Sequence, residues 1–76
     1  MKGQSYLVTG GGSGIGEATA EQLVALGAQV TICGRRAEKI NAVAARLGDR
    51  CLAVAADVTQ AGDRAELLRQ ALAHGG

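Results

Sequence analysis

Proline, tryptophan and phenylalanine are absent from this 76-residue chain, and Tyr6 is its one aromatic residue. The core must therefore be built from Val, Leu, Ile and Ala, which let helices lie close to a sheet but each bury little area. Charge of one sign is also scarce: eight Lys and Arg against seven Asp and Glu leave a net +1. That balance offers nothing to nucleic acid or to an anionic membrane surface. Long apolar runs are missing too. Met1-Lys2-Gly3-Gln4-Ser5 meets only Tyr6, Leu7 and Val8 before Thr9-Gly10, far short of a signal-peptide core or a membrane span. The expected compartment is the cytoplasm.

What is present is the composition of a folding chain. It is 47% hydrophobic and 20% charged, whereas disorder calls for low hydrophobicity with high net charge. The length allows one domain at most. A chain this small buries only about 60% of the surface its unfolded form exposes, so its stability is modest.

The pattern alternates between short apolar runs and amphipathic stretches. Ser5–Thr9 (SYLVT), residues 29–33 (QVTIC) and Cys51–Ala55 (CLAVA) read as strands with no room for polar alternation. Residues 15–26 read as a helix with Ile15, Thr19, Leu23 and Leu26 on one face, Ala20 and Val24 beside them, and Gly27 as its left-handed end. Ile40, Val43, Ala44 and Leu47 mark a second helix, closed by Gly48. Ala61, Ala65, Leu68 and Leu72 mark a third, with Thr59 as N-cap and Gly75-Gly76 as its stop. The predicted fold is α/β: a Rossmann-type βαβαβα with a three-stranded parallel sheet of order 3-2-1. Its first two helices lie on one face and the third crosses to the other. This is a truncated doubly wound fold, because the strand that would pair beside Tyr6–Thr9 does not follow. An unpaired apolar edge invites pairing with a second copy of the chain.

Two cysteines raise the question of a disulfide. Cys33 would end the second strand and Cys51 begin the third, roughly 13 Å apart along the strands at ~3.3 Å per residue. A disulfide needs Cα atoms within about 7 Å, so two reduced structural thiols are expected, in keeping with the cytoplasm. Neither has a Cys-x-x-Cys or His partner nearby, so no metal site is expected. His74 reads as a solvated side chain or a helix-end cation.

Between the first strand and the first helix lies Thr9-Gly10-Gly11-Gly12-Ser13-Gly14-Ile15-Gly16. A helix N-terminus offers unpaired N–H groups and the positive end of its dipole to a pyrophosphate. Glycines permit positive φ and close backbone approach. The spacing G-x-G-x-x-G fails, since Ile15 stands where the last glycine would be. The P-loop spacing runs from Gly11 to Gly16, but Glu17 occupies the place of its lysine and would repel a triphosphate.

Thr9-Gly10-x-x-x-Gly14-x-Gly16, Gly34-Arg35-Arg36 after the second strand and Asp57-Val58-Thr59 after the third come in that order. From Leu7 onward the chain resembles the short-chain dehydrogenase/reductase family along nearly all its length. The resemblance implies a domain, residues 1–76, that forms the N-terminal part of an NAD(P)-binding Rossmann unit. By position it implies that Gly10, Ser13, Gly14, Ile15 and Gly16 surround the diphosphate and adenosine ribose, and that Asp57 and Val58 take the adenine. Each has a plainer reading: Ser13 as a helix cap, Ile15 as core packing, Asp57 as a turn former.

Cofactor choice turns on the end of the second strand. An NAD site places a carboxylate there, about 20 residues past the glycines. Here Gly34, Arg35 and Arg36 stand instead, and along the chain no acid follows until Glu38. A guanidinium can grip a 2′-phosphate with two N–H bonds, so NADP is favoured over NAD, Arg35 being the stronger candidate. The alternative is that both arginines are solvated charges at a helix start.

The resemblance further implies alcohol/carbonyl hydride transfer on a small-molecule substrate, using a Tyr-x-x-x-Lys pair with a serine. Four residues after Tyr6 stands Gly10, so no catalytic residue is assignable and this chain alone is expected to be inactive. Two other readings compete with an oxidoreductase segment. One is a self-standing dinucleotide-binding module without catalysis. The other, a methyltransferase-like half binding S-adenosylmethionine, is disfavoured by the arginine pair and the Thr-Gly spacing.

Overall fold

A computed structural model describes residues 4–10, 14–57 and 59–75 of the chain. Its elements run β1 (Ser5–Thr9), α1 (Gly14–Ala25), β2 (Gln29–Gly34), α2 (Ala37–Leu47), β3 (Cys51–Ala55) and α3 (Ala61–Gly75). The three strands form one parallel sheet with β2 in the middle, the predicted 3-2-1 arrangement. Among the described residues no helix is long and apolar enough to cross a membrane.

Side chains alternate across a strand, so β2 and β3 each feed two cores. On one face Val30, Ile32 and Cys51 are buried with Ala20, Ala28, Ile40 and Val43, and Tyr6, Val8, Leu23, Val24, Leu47 and Ala53 pack against them. On the other, Cys33, Val54, Ala56 and Leu67 form a smaller cluster with Leu52 at its margin. β2 is covered on both sides, and from Val30 to Cys33 every residue is buried. This is why its run is continuously apolar apart from Thr31.

Two glycines shape the connections. Gly27 has φ 91°, while Ala28 N–H bonds Leu23 O at 3.0 Å and Gly27 N–H bonds Val24 O at 2.9 Å. This Schellman closure satisfies carbonyls the helix end would otherwise orphan. Gly48 ends α2 at φ 92°, ψ −164°, a region nearly closed to residues bearing a Cβ.

The strands and the α2 face through Ile40, Val43, Ala44 and Leu47 match the sequence reading; the faces of α1 and α3 do not. In α1 the buried positions are Gly16 and Ala20, with Leu23 and Val24 half-buried. Ile15 (85% exposed) and Leu26 (59%) point to solvent, so the stripe through Ile15, Thr19 and Leu26 is corrected. The helix approaches the sheet through its smallest residues. In α3 Leu67 is buried at 3% exposure, whereas Leu68 and Leu72 are 55% and 66% exposed. The inward face runs through Leu67, Ala71 and His74, not through Leu68 and Leu72.

Three smaller expectations also change. Thr59 does not cap α3, because its hydroxyl donates to Asp57 Oδ1 at 2.6 Å and the helix begins at Ala61. His74 is half-buried rather than solvated, with Nδ1 3.5 Å from Thr31 Oγ1 and Nε2 3.3 Å from the Asp49 carbonyl. A carbonyl only accepts, so Nε2 is the donor there. Lastly, Cys51 pairs with Val30, three register steps from Cys33 or about 10 Å, less than the sequence estimate. The two thiols are free and buried and lie in different cores on opposite faces. Burial pushes both thiols up from their ordinary pKa, in Cys33 against a smaller, lowering hydrogen bond with the Gly10 backbone.

Candidate functional site

In a parallel sheet the carboxyl ends of all strands lie along one edge, and in open α/β folds ligands bind there. Here that edge carries Thr9-Gly10 from β1, Gly34-Arg35-Arg36 from β2 and Ala55-Ala56-Asp57 from β3. Three segments far apart in sequence are thus brought together.

Gly10 leaves β1 with φ 70°, the left-handed backbone that only glycine adopts readily. Four residues on, α1 starts at Gly14, so its unpaired N–H groups face the same edge. A Cβ built on Gly14 would meet no atom within 4 Å beyond its chain neighbours and its own helix backbone. Gly16 is buried, which suits close helix packing. Ile15 is not in the core, which removes the plainer reading of that residue. Ser13 and Val58 lie outside the described residues, as do Gly11 and Gly12.

Glu17, the residue that breaks the P-loop pattern, is engaged sideways. Its carboxylate accepts from Arg46 at 2.6 Å, and the same guanidinium reaches Glu21 at 3.2 Å. This exposed trio ties α1 to α2. Each such surface pair contributes at most about 1 kcal/mol.

Arg35 and Arg36 are both exposed but differently employed. Arg36 is the N-cap of α2 with no side-chain cap bond; its carbonyl accepts from Lys39 N–H at 3.2 Å and Ile40 N–H at 3.3 Å. Arg35 lines a shallow depression of about 260 Å³ with Ala55, Ala56, Asp57 and Asp63. Asp57 sits where two hydrogen bonds from Thr59 fix it: backbone N–H at 3.0 Å and hydroxyl at 2.6 Å, both to Oδ1. Those bonds, the hydroxyl first, hold the Asp57 carboxyl below the usual aspartate range, and the Arg35 charge adds to the effect.

Sequence reasoning missed one member of this group. Asp63, in the first turn of α3, accepts the Asp57 N–H on Oδ2 at 2.9 Å. Along the chain no acid follows Arg35 until Glu38, yet in space Asp57 and Asp63 share its depression. The Asp-x-Thr spacing announces the turn at residue 57. Nothing in the sequence announces that a helix one strand further on brings a second carboxylate to the depression that Arg35 lines.

The profile of the short chain dehydrogenase family matches residues 4–76. The chain belongs to that family. Among curated proteins, it is 42% identical over 73 residues to the 2,5-dichloro-2,5-cyclohexadiene-1,4-diol dehydrogenase of Sphingobium indicum, covering 96% of this chain and 29% of that protein. To the 3-hydroxyacyl-CoA dehydrogenase type-2 of Drosophila melanogaster it is 44% identical over 71 residues, covering 93% and 28%. The structure superposes with a TM-score of 0.95 and 39% identity on a Brucella melitensis 3-ketoacyl-(acyl-carrier-protein) reductase solved with NADH, covering 99% of this chain and 31% of that one. The chain therefore spans less than a third of the length of these relatives.

Proposed function

We propose that this segment is the adenosine- and pyrophosphate-binding part of an NADP-dependent short-chain oxidoreductase. The observation that carries the reading is the carboxyl edge of the sheet. A positive-φ Gly10 and the start of α1 share that edge with Arg35 and Asp57, which line one depression. The pyrophosphate lies along Gly10 and residues 13–16, held by backbone N–H groups. Adenine lies against Asp57 and Val58, with Ala55 and Ala56 as an apolar floor. At about 260 Å³ the depression falls just below the usual range for small-molecule pockets of ~300–1,000 Å³, as suits one end of a dinucleotide.

Arg35 grips the 2′-phosphate, with Arg36 contributing charge from its exposed position. Names among the relatives, diol dehydrogenase and ketoacyl reductase, support interconversion of an alcohol and a carbonyl on a small molecule. When bound, the cofactor supplies the hydride. No Tyr-x-x-x-Lys pair is present in residues 1–76, so this segment binds and orients without itself moving a proton to substrate. Two unpaired, buried thiols suit a reducing cytoplasm.

Titration of the chain with NADPH and NADH tests the reading. NADPH should bind more tightly, and Arg35→Asp should reverse the order. Equal affinity, or none for either, removes the case for Arg35 and for NADP.

A further inference from the structure

Asp63 does more than begin a helix. As the third residue of α3 it is placed to satisfy N–H groups of its own first turn. Its Oδ2 instead accepts the N–H of Asp57, six residues back. The segment from Asp57 to Asp63 is thereby closed at both ends. Asp57 Oδ1 holds Thr59, the Asp57 carbonyl accepts Gln60 N–H at 2.9 Å, and Asp63 holds Asp57 from the far side. Arg64 N–H then bonds Gln60 O at 3.0 Å, locking the first turn of the helix to this loop. The Asp63 bond thus holds the Asp57 backbone, while Thr59 holds its carboxylate. The same Asp63 carboxylate lines the depression that holds Arg35.

We infer that Asp63 is a positioning and specificity-setting residue for the adenosine end of the site. Its hydrogen bond holds the backbone from which the Asp57 side chain projects, and its negative charge, in the depression that Arg35 also lines, weakens the pull on a 2′-phosphate. The inference rests on the nucleotide reading above and adds to it a second carboxylate. Opposite charges lining one depression offset each other's field on a bound anion. A phosphate carries close to two negative charges, so neutralising Asp63 should tighten a 2′-phosphorylated ligand severalfold. A ligand lacking that phosphate should barely respond. The hydrogen bond is separable from the charge, because an asparagine carbonyl can still accept the Asp57 N–H and an alanine cannot.

The experiment is an NMR titration of the 76-residue chain with 5′-AMP and with 2′,5′-ADP, in the wild type, Asp63→Asn and Asp63→Ala. Amide shifts of the α1 and α2 residues serve as the folding control. In Asp63→Asn, 5′-AMP should bind within about twofold of wild type while 2′,5′-ADP tightens about three- to tenfold, less so at high salt. In Asp63→Ala, 5′-AMP should weaken at least fivefold, and the Asp57 amide should lose its downfield shift. An unchanged ratio of the two ligands in Asp63→Asn overturns the charge role. Unchanged 5′-AMP affinity in Asp63→Ala overturns the positioning role. A wild-type chain that binds neither nucleotide removes the parent reading and this inference together. Wild-type binding with indifferent variants removes the inference alone.

Discussion

The two faces of the sheet are built to different standards. On one, α1 and α2 bury Val30, Ile32 and Cys51 beneath Ala20, Ile40 and Val43. On the other, among the described residues, α3 alone provides cover. It reaches Cys33, Val54 and Ala56 chiefly through Leu67, and leaves Leu7 of β1 40% exposed. The glycine segment and Arg35 are carried by the elements of the doubly covered face, while Asp57 and Asp63 hang on β3 and α3. The proposed phosphate end of the site thus rests on the firmer half of the molecule and the proposed adenine end on the looser one. Segments with few buried apolar contacts open first. Amides of α3 should therefore exchange with solvent well before those of α1 and α2.

The largest effect that would sharpen this contrast is Ile32→Ala. The side chain is fully buried, and such truncations cost about 2–5 kcal/mol. In a chain this small, the cooperative urea transition should vanish. Leu67→Ala should cost about 2–3 kcal/mol and act locally, removing α3 helicity while the α1–α2 face keeps its near-native amide shifts. If both variants unfold the whole chain equally, the two faces are one cooperative unit and the contrast fails. Gly48→Ala should follow at about 1–3 kcal/mol, read as a lowered Tm. A Cβ there meets no atom within 4 Å, so the loss comes from its φ of 92° alone.

The adenine end can also be probed by acid. Because the Asp57 carboxyl is held below its ordinary range by the Thr59 hydroxyl and amide, its folded pKa is depressed. The stability it contributes is present above the unfolded value of about 4 and is lost as pH falls through the folded value. Thr59→Val should move the Asp57 titration upward, seen in carboxyl carbon shifts; no movement would mean that the turn is held by other contacts. Leu72→Ala, at a side chain 66% exposed, should change stability by no more than about 0.5 kcal/mol.

The strands were legible because a doubly covered parallel strand has one signature, a short continuous apolar run, and CLAVA and QVTIC both carry it. The helix faces were less so. Periodicity selects large apolar residues, and Ile15, Leu26, Leu68 and Leu72 satisfied it. The sheet instead takes small residues such as Gly16 and Ala20, because small side chains allow close approach. Gly10, Arg35 and Asp57 were legible as site candidates since each follows a strand. Asp63 beside Arg35, and His74 between Thr31 and Asp49, depend on the third helix crossing the sheet in one particular register. Those pairings are properties of packing, and no local spacing encodes them.

Tyr6, with no tryptophan or phenylalanine to share the signal, packs against the cluster under α1 and α2. Ultraviolet absorbance, near-UV dichroism and intrinsic fluorescence of this chain are thus instruments aimed at one side of it. A conformer with α3 detached would look native to all three. An optical melt would report the firmer half, and a loosened adenine end would pass unseen unless amide or carboxyl resonances were watched as well.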